Sequence, residues 1–216
     1  MGEPARTPRA DSLQTRERIL DTCERLFGEH GYSGTSVRAI ADAAGVNLAA
    51  AHYHFGSKTQ LLEAVFHRAV APINAERLRR LDQLQAGGEP LDCEAVVRAF
   101  VEPERELASG GPMPRLAARI FAEPRDVSIP LLERTFAETA RRFIAALGSA
   151  LPHLDQATLH WRFHFMVGCV IQLNNFDVPL NVYGAEAGIE QAVRASGPEH
   201  LIRFVLAGLT QEAGHE

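Results

Sequence analysis

Apolar residues along this chain recur mostly at helical spacing. Ile19, Leu20, Cys23, Leu26 and Phe27 form an i, i+1, i+4, i+7, i+8 stripe, which predicts a helix starting near Leu13. Gly31 and Gly34 bracket a turn, and Thr35 or Ser36 can cap a short helix carrying Val37, Ile40, Ala41 and Ala44. Gly45 stops that helix, and Asn47 can cap a third one from Leu48 to about Phe55. After Gly56-Ser57 a long helix begins at Lys58 and carries Leu61, Leu62, Val65, Phe66 and Ala69, with a kink expected at Pro72 before it ends near Leu84.

Beyond the loop 85–90 a helix is expected from roughly Asp92 to Leu107. Others follow at about 114–122, 129–151, 155–175 and 197–213, with one short helix over Ala185 to Ala195. Strand-like alternation is scarce, so the expected class is all-α. Residues 1–12, with two prolines and no periodicity, read as a disordered arm. Residues 13–60 read as a helix-turn-helix domain of three helices. A long helix joins it to a larger effector-binding and dimerisation domain over 61–216.

Composition supports a packed protein: 46% of the 216 residues are apolar and 23% charged. The most hydrophobic segment, Phe163 to Leu173, is broken by His164, Gly168 and Gln172 and is far shorter than the ~20 residues a membrane span needs. With no leader-like segment either, a cytoplasmic protein without membrane partners is expected. Cys23, Cys93 and Cys169 are odd in number and widely spaced, which suits free buried thiols and gives no metal or cofactor site. The net charge of −5 is unevenly spread. Residues 1–60 hold seven basic and seven acidic residues, leaving 15 of the 22 basic and 20 of the 27 acidic ones to the remainder. An acidic body would keep nucleic acid away from all but a neutral head.

The pattern T-S-V-R-A-I-A-D-A-A-G-V-N (35–47) carries the sharpest chemistry. Small Ala41 and Ala44 allow a second helix to cross a third closely, and Gly45 supplies the turn between them. Val46, Ala51 and Phe55 then face inward, leaving Leu48, Ala49, Ala50, His52 and Tyr53 outward. Such a face suits a major groove, where apolar groups meet thymine methyls and the rings of His52, Tyr53 and neighbouring His54 reach base edges or phosphates. Lys58 is the sole lysine of the chain and opens a helix, where backbone N–H groups already favour phosphate. Thr35 and Ser36 offer a second phosphate clamp, and Arg38 projects toward the groove. Asn47 completes the expected DNA-binding set.

The stretch T-S-V-R-A-I-A-D-A-A-G-V-N-L-A-A-A-H-Y-H-F-G-S-K-T-Q-L-L resembles the DNA-binding domain of TetR-type regulators. The resemblance implies an all-α homodimer of about nine helices that leaves operator DNA on binding a ligand. It departs from the family at His52, where a tyrosine is common, and at Ala51, where a larger residue is. N-L-A-A-x-x-Y-H-F-G-S-K (47–58), R-L-A-A-R-I-F-A-E-P (115–124), A-L-P-H-L (150–154) and W-R-F-H-F-M-V-G (161–168) further resemble the PsrA-type branch. That branch senses fatty acids or their thioesters.

Pairing is expected through the last two strong helices, whose Phe163, Phe165, Met166, Val170, Leu201, Phe204 and Val205 would be hard to cover in a monomer. An apolar effector cavity is expected with Phe100, Phe121, Phe136, Phe143, Trp161 and Phe165 as walls and Arg119, His164 or Asn174 as polar anchors. A fatty acid or acyl-CoA suits such a cavity. Two other readings compete. His160 and His164 lie four apart, a spacing that can bind metal, but Trp161 follows His160 where a zinc-protease motif needs its glutamate. A helical protein-interaction module would use the same apolar stripes but leave Lys58 and the capped short helices unexplained.

Overall fold

The computed structural model describes residues 8–107, 120, 123–174 and 190–211, in which eight helices and no strand occur. They are α1 (Pro8–His30), α2 (Val37–Ala44), α3 (Leu48–Phe55), α4 (Lys58–Ala86), α5 (Cys93–Leu107), α6 (Arg125–Ala150), α7 (Gln156–Asn174) and α8 (Glu190–Thr210).

Several boundaries differ from the sequence expectation. Helix α1 starts at Pro8, inside the arm expected to be disordered. Proline suits a first helical position because its missing N–H would be unpaired there anyway. Helix α4, by contrast, runs through Pro72 to Ala86, close to the expected end near Leu84, with Val70 and Ile73 buried on either side of the proline. Helix α8 begins at Glu190 and runs through Pro198, absorbing part of the separate short helix expected before it. The helix expected at 114–122 lies outside the described residues apart from Ile120, which is buried.

The chain divides into two compact units. The first draws on residues 1–70 and 111–134. Its core is the predicted α1 stripe, with Ile19, Leu20, Cys23 and Phe27 buried alongside Ile40 and Ala41 of α2, Ala51 and Phe55 of α3, and Leu61, Leu62, Val65 and Phe66 of α4. Arg68 of α4 ties this packing to α1 through Glu17, Asp21 and Glu24 at 2.6–3.1 Å.

The second unit draws on residues 71–110 and 135–216. Its core gathers Leu81, Val96, Val97, Phe100, Phe143, Leu147, Leu159, Phe163, Met166 and Val170 with Leu201, Ile202, Val205 and Leu209. The Phe100 ring meets Phe143 and Phe163 edge-on at centroid distances of 5.1 and 5.5 Å. Buried Arg77 donates from Nε to the Phe100 carbonyl at 2.7 Å and from Nη2 to Glu104 at 2.6 Å, so its charge is paired. Of the apolar residues expected to pair, Phe163, Met166, Val170, Leu201 and Val205 are already buried within the chain. Trp161, Phe165 and Phe204 stand exposed, at 62%, 60% and 70%.

Candidate nucleic-acid interface

Caps fix the lengths of the two short helices. Ser36 Oγ accepts from the Ala39 N–H at 3.1 Å, and Asn47 Oδ1 accepts from the Ala50 N–H at 2.6 Å. Helix α2 closes at Gly45, whose φ of 65° is left-handed. There the Gly45 N–H reaches the Asp42 carbonyl at 3.2 Å and the Val46 N–H reaches Ala41 at 3.0 Å. This pairing satisfies the last carbonyls of α2 and sends the chain directly into α3. Ala51 and Phe55 bury one face of α3, and the opposite face is left to solvent.

That open face holds the residues expected from sequence. Asn47, Leu48, Ala49, His52 and Tyr53 are exposed, Tyr53 to 84%, while Ala50 and His54 are half-buried. Ser36 and Arg38 are exposed on α2 and its cap. Thr35 is not part of this surface. It is only 4% exposed, and its hydroxyl lies 2.8 Å from the Gly31 carbonyl and 3.3 Å from that of Leu26. One step along the chain decides the difference: Ser36 takes the cap, and Thr35 points back into α1.

Lys58 opens α4 behind a reciprocal cap. Ser57 Oγ accepts from the Gln60 N–H at 3.2 Å and Gln60 Oε1 accepts from the Ser57 N–H at 3.0 Å. The S-x-x-Q spacing that announces this cap is legible in the sequence but was not among the features expected from it. The Lys58 Nζ lies 4.1 Å from the centre of the Tyr32 ring. Partial burial pushes its ammonium below the usual value, and the Glu123 carboxylate offsets part of that.

Glu123 is a neighbour of this site that the sequence does not announce. Its carboxylate accepts from the Tyr32 N–H at 2.7 Å and from the Ser33 N–H and hydroxyl at 3.3 and 2.9 Å. Tyr32 in turn shares a 3.0 Å hydrogen bond with Thr59, beside Lys58. The E-P pair at 123–124 carries no local signal that it closes a turn some 91 residues earlier.

The effector candidates scatter. Phe100 and Phe143 are buried in the second unit's core and Phe136 is half-buried. Trp161, His164 and Phe165 are exposed on α7, and the Trp161 and Phe165 rings stack at 5.7 Å. Arg119, Phe121 and the Asn174 side chain lie outside the described residues. An open groove of about 850 Å³ runs along α6 and the start of α7, lined by Ala137, Ala140, Arg141, Ile144, Gly148 and His160 among others. None of the expected wall or anchor residues lines it. His160 Nδ1 is hydrogen-bonded to the Gln156 carbonyl at 2.7 Å, and no group of three possible metal ligands occurs among the described residues.

Among known proteins, residues 19–65 match the family model of bacterial regulatory proteins of the tetR family. Residues 94–208, more than half of the chain, match that of the tetracyclin repressor-like C-terminal domain. The HTH-type transcriptional regulator AcrR of Shigella flexneri is 36% identical over 87 residues, 40% of each chain. The probable acrEF/envCD operon repressor of Escherichia coli K12 is 39% identical over 62 residues, 29% of this chain and 28% of that one. The match thus spans less than half the length of these curated relatives. Among solved structures, NalD, the secondary repressor of the MexAB-OprM multidrug efflux pump in Pseudomonas aeruginosa, superposes with a TM-score of 0.64 at 22% identity. That superposition covers 94% of this chain and 99% of NalD, a likeness of fold. Two family models that between them take in the capped short helices and most of the second unit place the chain in the TetR family of bacterial transcriptional regulators.

Proposed function

We propose that this protein is a sequence-specific DNA-binding repressor that acts in the cytoplasm as a homodimer on a palindromic operator and is released by a small hydrophobic effector. The observation that carries the reading is the solvent face of α3. Leu48, Ala49, His52 and Tyr53 stand exposed on a helix of eight residues capped at both ends. An apolar and aromatic face costs stability in water unless it meets a partner, and a major groove offers thymine methyls and base edges to such a face. Lys58, Ser36 and Arg38 supply phosphate contacts around it. The operon repressor among the relatives fits this output.

One recognition helix reads too few base pairs for a unique site, so two heads about 34–36 Å apart are needed. Exposed Trp161 and Phe165 on α7 and Phe204 on α8 supply the apolar surface for pairing. The working division is a head over 13–60 and an effector and dimer body over 61–216. A fatty acid or acyl-CoA is the effector class favoured by the likeness of residues 47–58, 115–124, 150–154 and 161–168 to the PsrA-type branch. A ligand of this kind shifts operator affinity only by preferring one arrangement of the dimer over the other.

The test is binding of the full chain to duplexes enriched from a random pool, measured across a salt series. Lys58→Ala should weaken all duplexes alike and lower the salt slope by about one unit. Equal binding by Lys58→Ala and wild type would remove the phosphate assignment, and salt-independent binding would remove the DNA reading. Native mass spectrometry of protein from its own host tests the rest, since a dimer carrying a fatty-acyl mass is the expected species.

A further inference from the structure

His52 and Gly56 exchange two hydrogen bonds. The Gly56 N–H donates to the His52 carbonyl at 2.8 Å, and His52 Nδ1 lies 2.8 Å from the Gly56 carbonyl oxygen. A carbonyl oxygen only accepts, so Nδ1 is the donor and carries a proton. Gly56 makes the exchange possible because it ends α3 at φ 68° and ψ −82°, a conformation open to glycine and strained for other residues. The ring is thereby fixed in orientation and tautomer. In the neutral imidazole, Nε2 is left as a bare acceptor.

The ring belongs to the exposed face of α3, one turn beyond Leu48 and Ala49. Nearby, Asn47 Oδ1 and Ser36 Oγ each already accept one helix N–H, from Ala50 and Ala39. A phosphate oxygen only accepts, and so do guanine N7 and O6 and thymine O4. A bare Nε2 repels all of them. Its complements in the major groove are the amino groups of adenine (N6) and cytosine (N4).

We propose that His52 is a specificity-determining residue that uses Nε2 to accept from one exocyclic amino group, adenine N6 or cytosine N4, in each half-site. This rests on the DNA-binding reading above. The same lone pair selects against a keto oxygen at that point, so one contact supplies both attraction and rejection.

The experiment is a double-mutant cycle between protein and base, run in mildly alkaline buffer. The best duplex selected by the full chain is resynthesised with each adenine replaced by purine and each cytosine by pyrimidin-2-one, one at a time. Each change deletes a single amino group. One replacement per half-site should cost wild type about three- to tenfold in affinity, the range one hydrogen bond supplies. The same replacement should cost His52→Phe nothing beyond its effect on the duplex, and His52→Gln, which keeps an acceptor near Nε2, should retain part of the loss. His52 is exposed, so these variants keep the fold. Absence of coupling to any amino group would overturn the proposal. So would coupling of His52 to 7-deazaguanine or to a methylphosphonate, since either means that Nε2 donates. Failure to enrich any duplex would overturn the DNA-binding reading and this inference with it, a result distinct from binding without coupling.

Discussion

Replacing Glu123 by alanine should loosen the turn between α1 and α2. The carboxylate accepts three hydrogen bonds there, from the Tyr32 N–H and from the Ser33 N–H and hydroxyl. The three losses are unequal. Ser33 is exposed, and water takes over its two donors at little cost. The Tyr32 N–H is part-buried, and its 2.7 Å bond to a charged acceptor is the shortest of the set. Leaving such a donor unpaired costs about 1–3 kcal/mol, and solvent screening at a half-open turn argues for the lower part, about 1–2 kcal/mol. With a urea dependence of about 2 kcal/mol/M, the unfolding midpoint should fall by about 0.5–1 M. Far-UV circular dichroism reads this loss, and amide exchange at Tyr32 locates it. Glu123→Gln should fall between, because its amide oxygen still accepts from Tyr32 while its NH2 group faces the donors of Ser33. The reasoning fails if both variants unfold within about 0.2 M of wild type with the Tyr32 amide still protected, a shift too small for one unpaired donor.

The remaining predictions concern other parts of the chain. Thr35→Val keeps shape but removes a buried hydroxyl and should cost about 1 kcal/mol in urea unfolding, with the salt slope of DNA binding unchanged. A reduced slope would make Thr35 a phosphate contact after all. Burial pushes the Cys23 thiol up to about 12 and the Cys93 thiol to about 11 from an ordinary 9.0, so both should resist a disulfide reagent at about pH 8 in the folded protein. Because the unfolded chain ionises first, the stability these thiols contribute is present below pH 9.0 and is lost as pH rises toward about 12. The urea midpoint should accordingly drop less in alkali for Cys23→Ala than for wild type. Trp161→Glu places a charge on the exposed apolar side of α7 and should yield a folded monomer by light scattering, whereas an unchanged dimer would move the pairing surface elsewhere.

Much of the head is legible in the sequence alone. Glycine at 45, cap residues at 36 and 47, small residues at 41 and 44 and the inward pair Ala51 and Phe55 each act within one turn of helix, so their spacing alone encodes their role. The outward face of α3 and the position of Lys58 at a helix start followed from the same periodicity. What needed the tertiary structure was every choice between equivalent local options. Thr35 and Ser36 are both good caps, and packing against α1 decides which hydroxyl is buried. Helix α7 is apolar around most of its circumference, so no period marks a unique inner face. Only its neighbours settle that Phe163 joins the core while Phe165 stays outside. The carboxylate of Glu123 reaches Tyr32 across 91 residues of chain, and no local pattern announces such a pairing. Sequence fixes what depends on neighbours along the chain, such as helix period, caps and turns. Contacts between distant segments form only when the whole chain has packed, and they decide which of several suitable side chains is free to act.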